Sequence, residues 1–413
     1  MSQIASAKPS IALVYDRVTV EYGGAEDLLQ VFYQAFPSAP LFTSVWNPKL
    51  SWTKYWPVHV SFLQRIPWGF KFHRLLAPWM PLAFESLSLS DFDIIVSISS
   101  AEAKGIITKP EQLHLCYLFT PTRYLYEYKT AYGDIAGWHN LPIINFAIRL
   151  VRKYLTWWDL QAAQRPDTYL TLSHKSQKKI QQIYQRLATV VYPPVLINSN
   201  ATAPAIMKLS QSNKYSLSLS RLVPYKRIQE CIIACRESKL PLLIVGSGPD
   251  FLRLTQLYPN QTFIRTNEQS LAECLQLAFV NHKSIVFLGS VSNDERTTLI
   301  KYAKILFMLG DEDFGISAIQ AALLNVPSIV SQQAGASELL QSIPNSIQLK
   351  KITTAEICLA IQTALSFQNT SPNLSQLSKQ TSQEFFIRQI KEIVYDEWRK
   401  HMKKYDNIRR RTQ

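Results

Sequence analysis

Several absences narrow the field before any motif is read. No uninterrupted apolar run approaches the roughly 20 residues that a membrane-spanning helix needs, and the opening MSQIASAKPS is polar with no signal-peptide type of run behind it. A soluble, cytoplasmic chain is therefore expected. Cysteine is scarce: Cys116, Cys231, Cys235, Cys274 and Cys358 are mostly scattered in apolar segments without paired metal-ligand spacing. Cys231 and Cys235, four apart on one face of an expected helix, read as small buried hydrophobes in a reducing compartment. Glycine is scarce too, and no complete G-x-G-x-x-G with a ribose-binding acid downstream occurs, which disfavours a nicotinamide-dependent oxidoreductase. Acidic residues are short as well, 30 Asp plus Glu against 44 Lys plus Arg, so the net charge of +14 asks for an anionic partner. Phosphorylated small molecules, anionic lipid and nucleic acid all satisfy that, but no nucleic-acid module is recognisable, and none is expected as a partner.

What is present is apolar substance, 47% of 413 residues, enough for two domains with real cores. IALVYD reads as a strand ending in Asp16, followed by Gly23-Gly24-Ala25-Glu26 and the helical pattern DLLQVFYQAF. Paired glycines before a helix either let a ligand approach the backbone or make a tight turn. Residues 51–80 interleave Trp52, Trp56, Trp68 and Trp79 with Lys54, Arg65, Lys71 and Arg74 and hold no acid. That composition suits a membrane interface or an acceptor with an apolar tail and anionic head, and equally a core-packed helix pair with a solvated basic face.

FDIIVSISS and LHLCYLFT are short, apolar and β-branched or aromatic, as buried strands are. The loops behind them, Ala103-Lys104-Gly105 and Thr120-Pro121-Thr122-Arg123-Tyr124, complete a rim holding Asp16, Gly23, Ser99, Phe119 and Arg123 beyond the strand ends. A long helix follows from residue 142 to about 164. Pro193-Pro194 with the polar LINSNATAP then marks a linker at 196–213, between an N-terminal domain 1–195 and a second domain 214–381.

The second half begins again with YSLSLS, a strand leading to Arg221 and Lys226, where a diphosphate could be neutralised without a metal. LPLLIVGSGPD repeats the pattern, with Gly246 and Gly248 forming half of a dinucleotide fingerprint. The stretch DEDFGISAIQAALLNVPSIV is a strand-loop-helix-strand unit. The amides of Phe314, Gly315 and Ile316 would open its helix and favour an anion, while the Glu312 carboxylate suits hydroxyls, so the pair fits a ligand with both phosphate and sugar. Acidic residues serving only as a helix cap are the alternative. Residues 382–413 read as a further helix ending in Arg409, Arg410 and Arg411, crossing back to the N-terminal domain. Strands alternating with helices throughout imply an α/β chain of two doubly wound domains.

These motifs in this order, with VVYPPV, SLSRLVPYKR, VFLGSV and AGASE, resemble the retaining glycosyltransferases of family 4, also called group 1, in the branch serving bacterial surface polysaccharide and O-antigen assembly. The resemblance implies two facing Rossmann-like domains of GT-B type with a cleft between them. It implies transfer of a sugar from a nucleotide-diphosphate sugar to a glycan or lipid-linked acceptor, with no metal or other cofactor. Carried over by position, Arg221 and Lys226 would stabilise the leaving diphosphate and Glu312 would bind the donor sugar. Gly23, Gly24, Phe314, Gly315, Ile316 and the Gly246 and Gly248 turn would lie against the donor, and Asp16 and Arg123 on the acceptor side.

Three positions depart from the family pattern. Gln320 replaces the second Glu of a Glu, seven residues, Glu signature, the one that holds the nucleotide ribose; the amide keeps the shape and gives up about 1 kcal/mol of charge-assisted bonding. Phe119 stands where relatives have a His that contacts the sugar near its sixth carbon, and Ser100 where close relatives have another His. Phe119 either favours a pentose or 6-deoxy donor or marks a degenerate homologue that binds without turnover. The tail and the tryptophan-rich region predict attachment to an anionic membrane surface, on the inner face of the cell membrane.

Overall fold

The computed structural model describes residues 8–21, 23–67, 75–127, 142–197, 203–212, 214–367 and 373–412. The chain divides into two compact units, Met1–Pro194 with Gln383–Gln413, and Val195–Ser382.

The first unit is built on seven parallel strands: β1 (Ile11–Tyr15), β2 (Leu41–Thr43), β3 (Val58–Val60), β4 (Ile94–Ser99), β5 (Leu113–Leu118), β6 (Thr168–Thr171) and β7 (Ala188–Val190). Their order is β3-β2-β1-β4-β5-β6-β7. Every residue of β4 and β5 is buried, as expected where helical crossovers cover both faces of a parallel sheet. From β1 the chain steps outward through β2 and β3, then returns to lay β4 on the other side of β1, pairing Val14 with Ser97 and Tyr15 with Ile98. The order thus reverses between β1 and β4, where an open α/β sheet presents a crevice at its carboxyl edge.

The C-terminal helix, Gln383–Thr412, belongs to this unit. Phe386, Ile390 and Val394 recur every four residues on one face and are fully buried. Phe386 meets Phe32 and Tyr117 edge-on at centroid distances of 5.4 and 6.0 Å, so one aromatic cluster ties this helix to the helix Gly24–Ala35 and to β5.

The second unit repeats the plan with β8 (Ser216–Leu219), β9 (Leu242–Val245), β10 (Thr262–Ile264), β11 (Ile285–Gly289), β12 (Ile305–Met308), β13 (Ser328–Ser331) and β14 (Ser346–Leu349). Their order, β10-β11-β9-β8-β12-β13-β14, reverses between β8 and β12. Helices Ile228–Glu237 and Thr354–Ser366 pack their apolar stripes against these strands in one core that includes Cys231, Cys235, Ile244, Phe307 and Ile361. Burial pushes the Cys231 thiol up and that of Cys235 up to about 12, so both act as small hydrophobes.

Part of the stretch read as a linker is structured. It contains the helix Pro204–Ser212, which lies in the second unit and buries Ile206. The chain crosses between units at Pro194 and again at Ser382, and Val195 N–H donates to the Thr381 carbonyl at 2.9 Å.

The tryptophan-rich region resolves into separate roles. Trp56 is a core residue, its indole N–H donating to the Ala39 carbonyl at 2.9 Å and its ring lying 4.3 Å from that of Tyr33, whereas Trp79 is exposed. Trp68, Lys71 and Arg74 fall outside the described residues. Among the described residues no helix is long and apolar enough to cross a membrane.

Candidate functional site

In the second unit the residues singled out from sequence gather at the strand reversal. The loop after β8 carries Arg221 and Lys226, and the loop after β12 carries residues 309–315. Because β8 and β12 are neighbours, the two loops share one edge. There Lys226 Nζ pairs with Glu312 Oε1 while Arg221 stands exposed on the same loop. Lys226 is mostly buried, and that is possible because Gly310 has no side chain: a Cβ there would lie 3.0 Å from both Cα and Cδ of Lys226.

The acidic loop is braced from behind. Glu312 N–H donates to the Gly310 carbonyl at 3.0 Å, and Gly335 and Ala336 donate to the carbonyls of Glu312 and Phe314 at 3.1 and 2.5 Å. Asp313 and Phe314 are buried, and Gly315 turns the chain into the helix Ile316–Leu323 with φ of 106°. That angle favours glycine, and a Cβ would also strike Met308 Sδ. The helix thus opens four residues after Glu312, and of its first-turn amides that of Ala318 donates to the Gly315 carbonyl at 3.2 Å.

Gly246 and Gly248 have a packing reason for being glycine. A Cβ on Gly246, at φ of 130°, would meet the Ser220 carbonyl, and one on Gly248 would meet the backbone of Leu222. Leu222 N–H donates to the Ser247 carbonyl and Asp250 N–H to the Leu222 carbonyl, at 2.9 and 3.0 Å. The turn therefore buttresses the loop that presents Arg221. Gln320 is buried, and its Nε2 donates to the Leu196 carbonyl at 2.8 Å. One amide N–H is thus engaged with the chain just after the crossing at Pro194.

In the first unit Asp16 lies at the reversal between β1 and β4, but its carboxylate faces inward. Oδ1 accepts from Ser99 Oγ and Ala103 N–H at 3.0 and 2.8 Å, and Oδ2 from Ser100 N–H and Oγ at 2.6 and 3.1 Å. Asp16 thereby ties the loop after β4 to the end of β1, and Ser100 supplies two of the donors. Gly23 is the N-cap of the helix Gly24–Ala35; the space of its missing side chain is taken by Glu26 Oε2, whose other oxygen accepts from Tyr15 at 3.1 Å. Burial raises the Glu26 carboxyl above its ordinary range.

Phe119 is half-buried, its N–H donating to the Ser99 carbonyl at 2.8 Å and its ring 5.9 Å from that of Tyr117. Arg123 pairs with Glu127 at 3.7 Å, and Lys179 meets the same carboxylate at 2.6 Å.

Sequence reading missed two buried clusters that shape this edge. Lys104 and Asp159, both buried, pair at 2.5 Å; Asp159 also accepts from Thr122, Tyr126 and Tyr184 at 2.7, 2.9 and 2.7 Å. Burial alone would depress the Lys104 ammonium, but Asp159 raises it, so the ammonium stays charged and the pair pins the loop of Arg123. Glu102 is buried, accepts from the Tyr124 hydroxyl at 2.6 Å and lies 3.6 Å from Arg17. Burial holds its carboxyl above the usual range, against the pull of Arg17. The only advance signal was that Glu102 and Lys104 lie in the loop SSAEAKG; their partners are 22 to 85 residues away.

Known proteins share this architecture. Anabaena HepE in complex with UDP and glucose superposes with a TM-score of 0.64 at 16% identity, over 94% of this chain and 100% of that one. The N-terminal domain of Candida albicans trehalose-6-phosphate phosphatase gives 0.65 at 11% identity, over 96% and 98%. These likenesses establish the fold, two Rossmann-like units of the GT-B type. In sequence, N-acetyl-alpha-D-glucosaminyl L-malate synthase of Bacillus anthracis is 25% identical over 138 residues, 32% of this chain and 31% of that protein, so the match spans about a third of the relative. Residues 201–381, nearly all of the second unit and the part that holds Arg221, Lys226 and Glu312, match the family described as Glycosyl transferases group 1.

Proposed function

We propose that the chain is a retaining glycosyltransferase of family 4, moving a sugar from a nucleotide-diphosphate sugar to a glycan or lipid-linked acceptor of bacterial surface polysaccharide. The observation that carries this reading is the Lys226–Glu312 pair at the strand reversal of the second unit, beside exposed Arg221 and the first turn of the helix Ile316–Leu323. Two cations and a helix N-terminus at one edge suit a diphosphate, and the adjacent carboxylate suits sugar hydroxyls.

The chemistry follows from charge. As the bond from sugar to diphosphate breaks, negative charge grows on the departing phosphate. Arg221 and Lys226 stabilise that charge more than they stabilise the intact donor, and such a difference lowers the barrier. Glu312 pairs with the ammonium of Lys226, and its carboxylate would accept from hydroxyls of the sugar. The departing phosphate then takes the acceptor proton on the same face, so no protein nucleophile is required.

UDP and UDP-glucose bound in HepE make uridine nucleotides the first donors to try. Thermal stabilisation by a panel of UDP- and GDP-linked hexoses, pentoses and 6-deoxyhexoses tests the reading. At least one should stabilise the protein, and binding by none would overturn it. If Phe119 selects donors lacking a 6-hydroxyl, Phe119→His should shift preference toward hexoses; ordinary hexoses ranking first in the unaltered protein would dispose of that selection.

A second reading, a degenerate homologue that binds without turnover, is favoured by Gln320, which stands where the family signature has Glu and gives an amide N–H to the Leu196 carbonyl. Binding without consumption of any donor, even with acceptors supplied, would select it.

A further inference from the structure

We propose that the outward face of the helix Pro142–Ala162 in the first unit docks the protein on an anionic lipid bilayer. The inward face is firmly placed. Leu155, Trp158, Asp159 and Ala162 are buried, at the spacing of one helical stripe. Trp158 lies against Gly105, where a Cβ would overlap its ring, and donates to Glu85 at 2.7 Å, while Asp159 holds Lys104. The helix cannot roll to hide its other side.

That other side is apolar and open. Phe146, Leu150, Tyr154 and Trp157 follow one another at steps of four, four and three, and are 63%, 52%, 44% and 60% exposed. Every residue from 146 to 150 is exposed, Ile148 among them, so this turn is open around its whole circumference. Water-facing aromatic and aliphatic residues in a continuous stripe mark an interaction surface rather than ordinary scatter.

Charge identifies the occupant. The helix carries Arg149, Arg152 and Lys153, and its one acid, Asp159, lies on the buried face. An apolar stripe with aromatic residues and flanking cations is what inserts into the boundary between headgroups and acyl chains of an anionic bilayer. A second copy laid on the same face would set cationic flank against cationic flank, in a chain already carrying a net charge of +14. The docking helix is thus a different element from the tryptophan-rich stretch at 51–80, whose Trp56 is committed to the core. The inference is independent of the sugar-transfer reading, though a surface of this kind would serve a lipid-linked acceptor.

Co-sedimentation of the full chain with vesicles of phosphatidylcholine alone, and of phosphatidylcholine with phosphatidylglycerol, tests the proposal. The unaltered protein should bind the anionic vesicles at least about tenfold more tightly, and more weakly as salt rises. Leu150→Glu with Trp157→Glu should lose at least about tenfold of that affinity, with Trp79→Glu unchanged as the control. Arg149→Gln with Lys153→Gln should lose about fivefold per charge at low salt, and this pair keeps the test alive if the glutamate variants misfold. Equal binding by all variants would overturn the proposal. So would a concentration-dependent dimer that Leu150→Glu with Trp157→Glu dissociates, since the face would then be covered by a second copy.

Discussion

Replacing Gln320 by Glu restores the residue that the family signature calls for, and it puts the local geometry to a demanding test. Gln320 is 3% exposed, and its Nε2 donates to the Leu196 carbonyl at 2.8 Å. A carboxylate in the same place exchanges that donor for an acceptor, so two oxygens face each other without a proton between them. The lost hydrogen bond costs about 1 kcal/mol and the unpaired buried carbonyl roughly 1–3 more, giving about 2–4 kcal/mol at alkaline pH. The carboxyl escapes by taking a proton and donating it to Leu196, so its pKa rises on folding. A carboxyl whose folded pKa lies above the unfolded value of about 4.3 contributes stability that is present below that value and lost as pH rises through the folded one. Gln320→Glu should therefore match the unaltered protein near pH 4.5 and fall below it at pH 8, by roughly 4–16 °C in Tm for a unit of this size. Thermal denaturation at the two pH values, read with and without nucleotide sugar, is the assay. Equal stability at pH 8 together with tighter donor binding would mean that the carboxylate faces a ligand instead of Leu196, and the reasoning above would fail.

Three further outcomes follow from the same geometry. Gly248→Ala should destabilise the second unit by more than about 1 kcal/mol in chemical denaturation, because its Cβ meets the rigid backbone of Leu222; an unchanged midpoint would reject the packing role. Asp16→Ala leaves the buried Ala103 amide and the buried Ser99 hydroxyl without their acceptor, so a loss of roughly 2–6 kcal/mol is expected from urea unfolding, and a small one would show that the loop is held by other bonds. His114 is fully buried beside Ser97 Oγ at 2.8 Å, and burial, with Arg165 and Arg186 adding to it, lowers its pKa to about 3. The unfolded chain then binds the proton first, so stability should fall by about 1.4 kcal/mol per pH unit below about pH 6.5, a one-proton slope that His114→Phe should remove.

The alternation of strand and helix was legible because fully buried parallel strands are short, apolar runs, and β4, β5, β9 and β12 are all of that kind. The grouping of Arg221 with Glu312 was legible from the alternation: Arg221 follows the SLSL strand β8 and Glu312 the apolar β12, and these are neighbours in the sheet. What could not be read were bonds closed across long sequence separations. Asp16 looked like a ligand at the rim, yet its acceptors are consumed by residues 83 to 87 positions away. Gln320 reads as a ribose ligand, and its amide also donates to a carbonyl 124 positions back, a bond its place in the sequence does not announce. Tryptophan content pointed to residues 51–80, but burial depends on which way a side chain turns. Trp56 turns into the core and Trp79 to solvent, as does Trp157 in the helix Pro142–Ala162, which composition did not single out.

We propose that the edge holding Arg221, Lys226 and Glu312 consumes a nucleotide-diphosphate sugar. Release of free nucleotide from the donor panel by the full chain, measured beside Arg221→Ala, is the decisive experiment. Arg221 is exposed, so the substitution should leave the fold intact while slowing release from the preferred donor at least about 100-fold. Release by no donor, or equal rates for the two proteins, would contradict it.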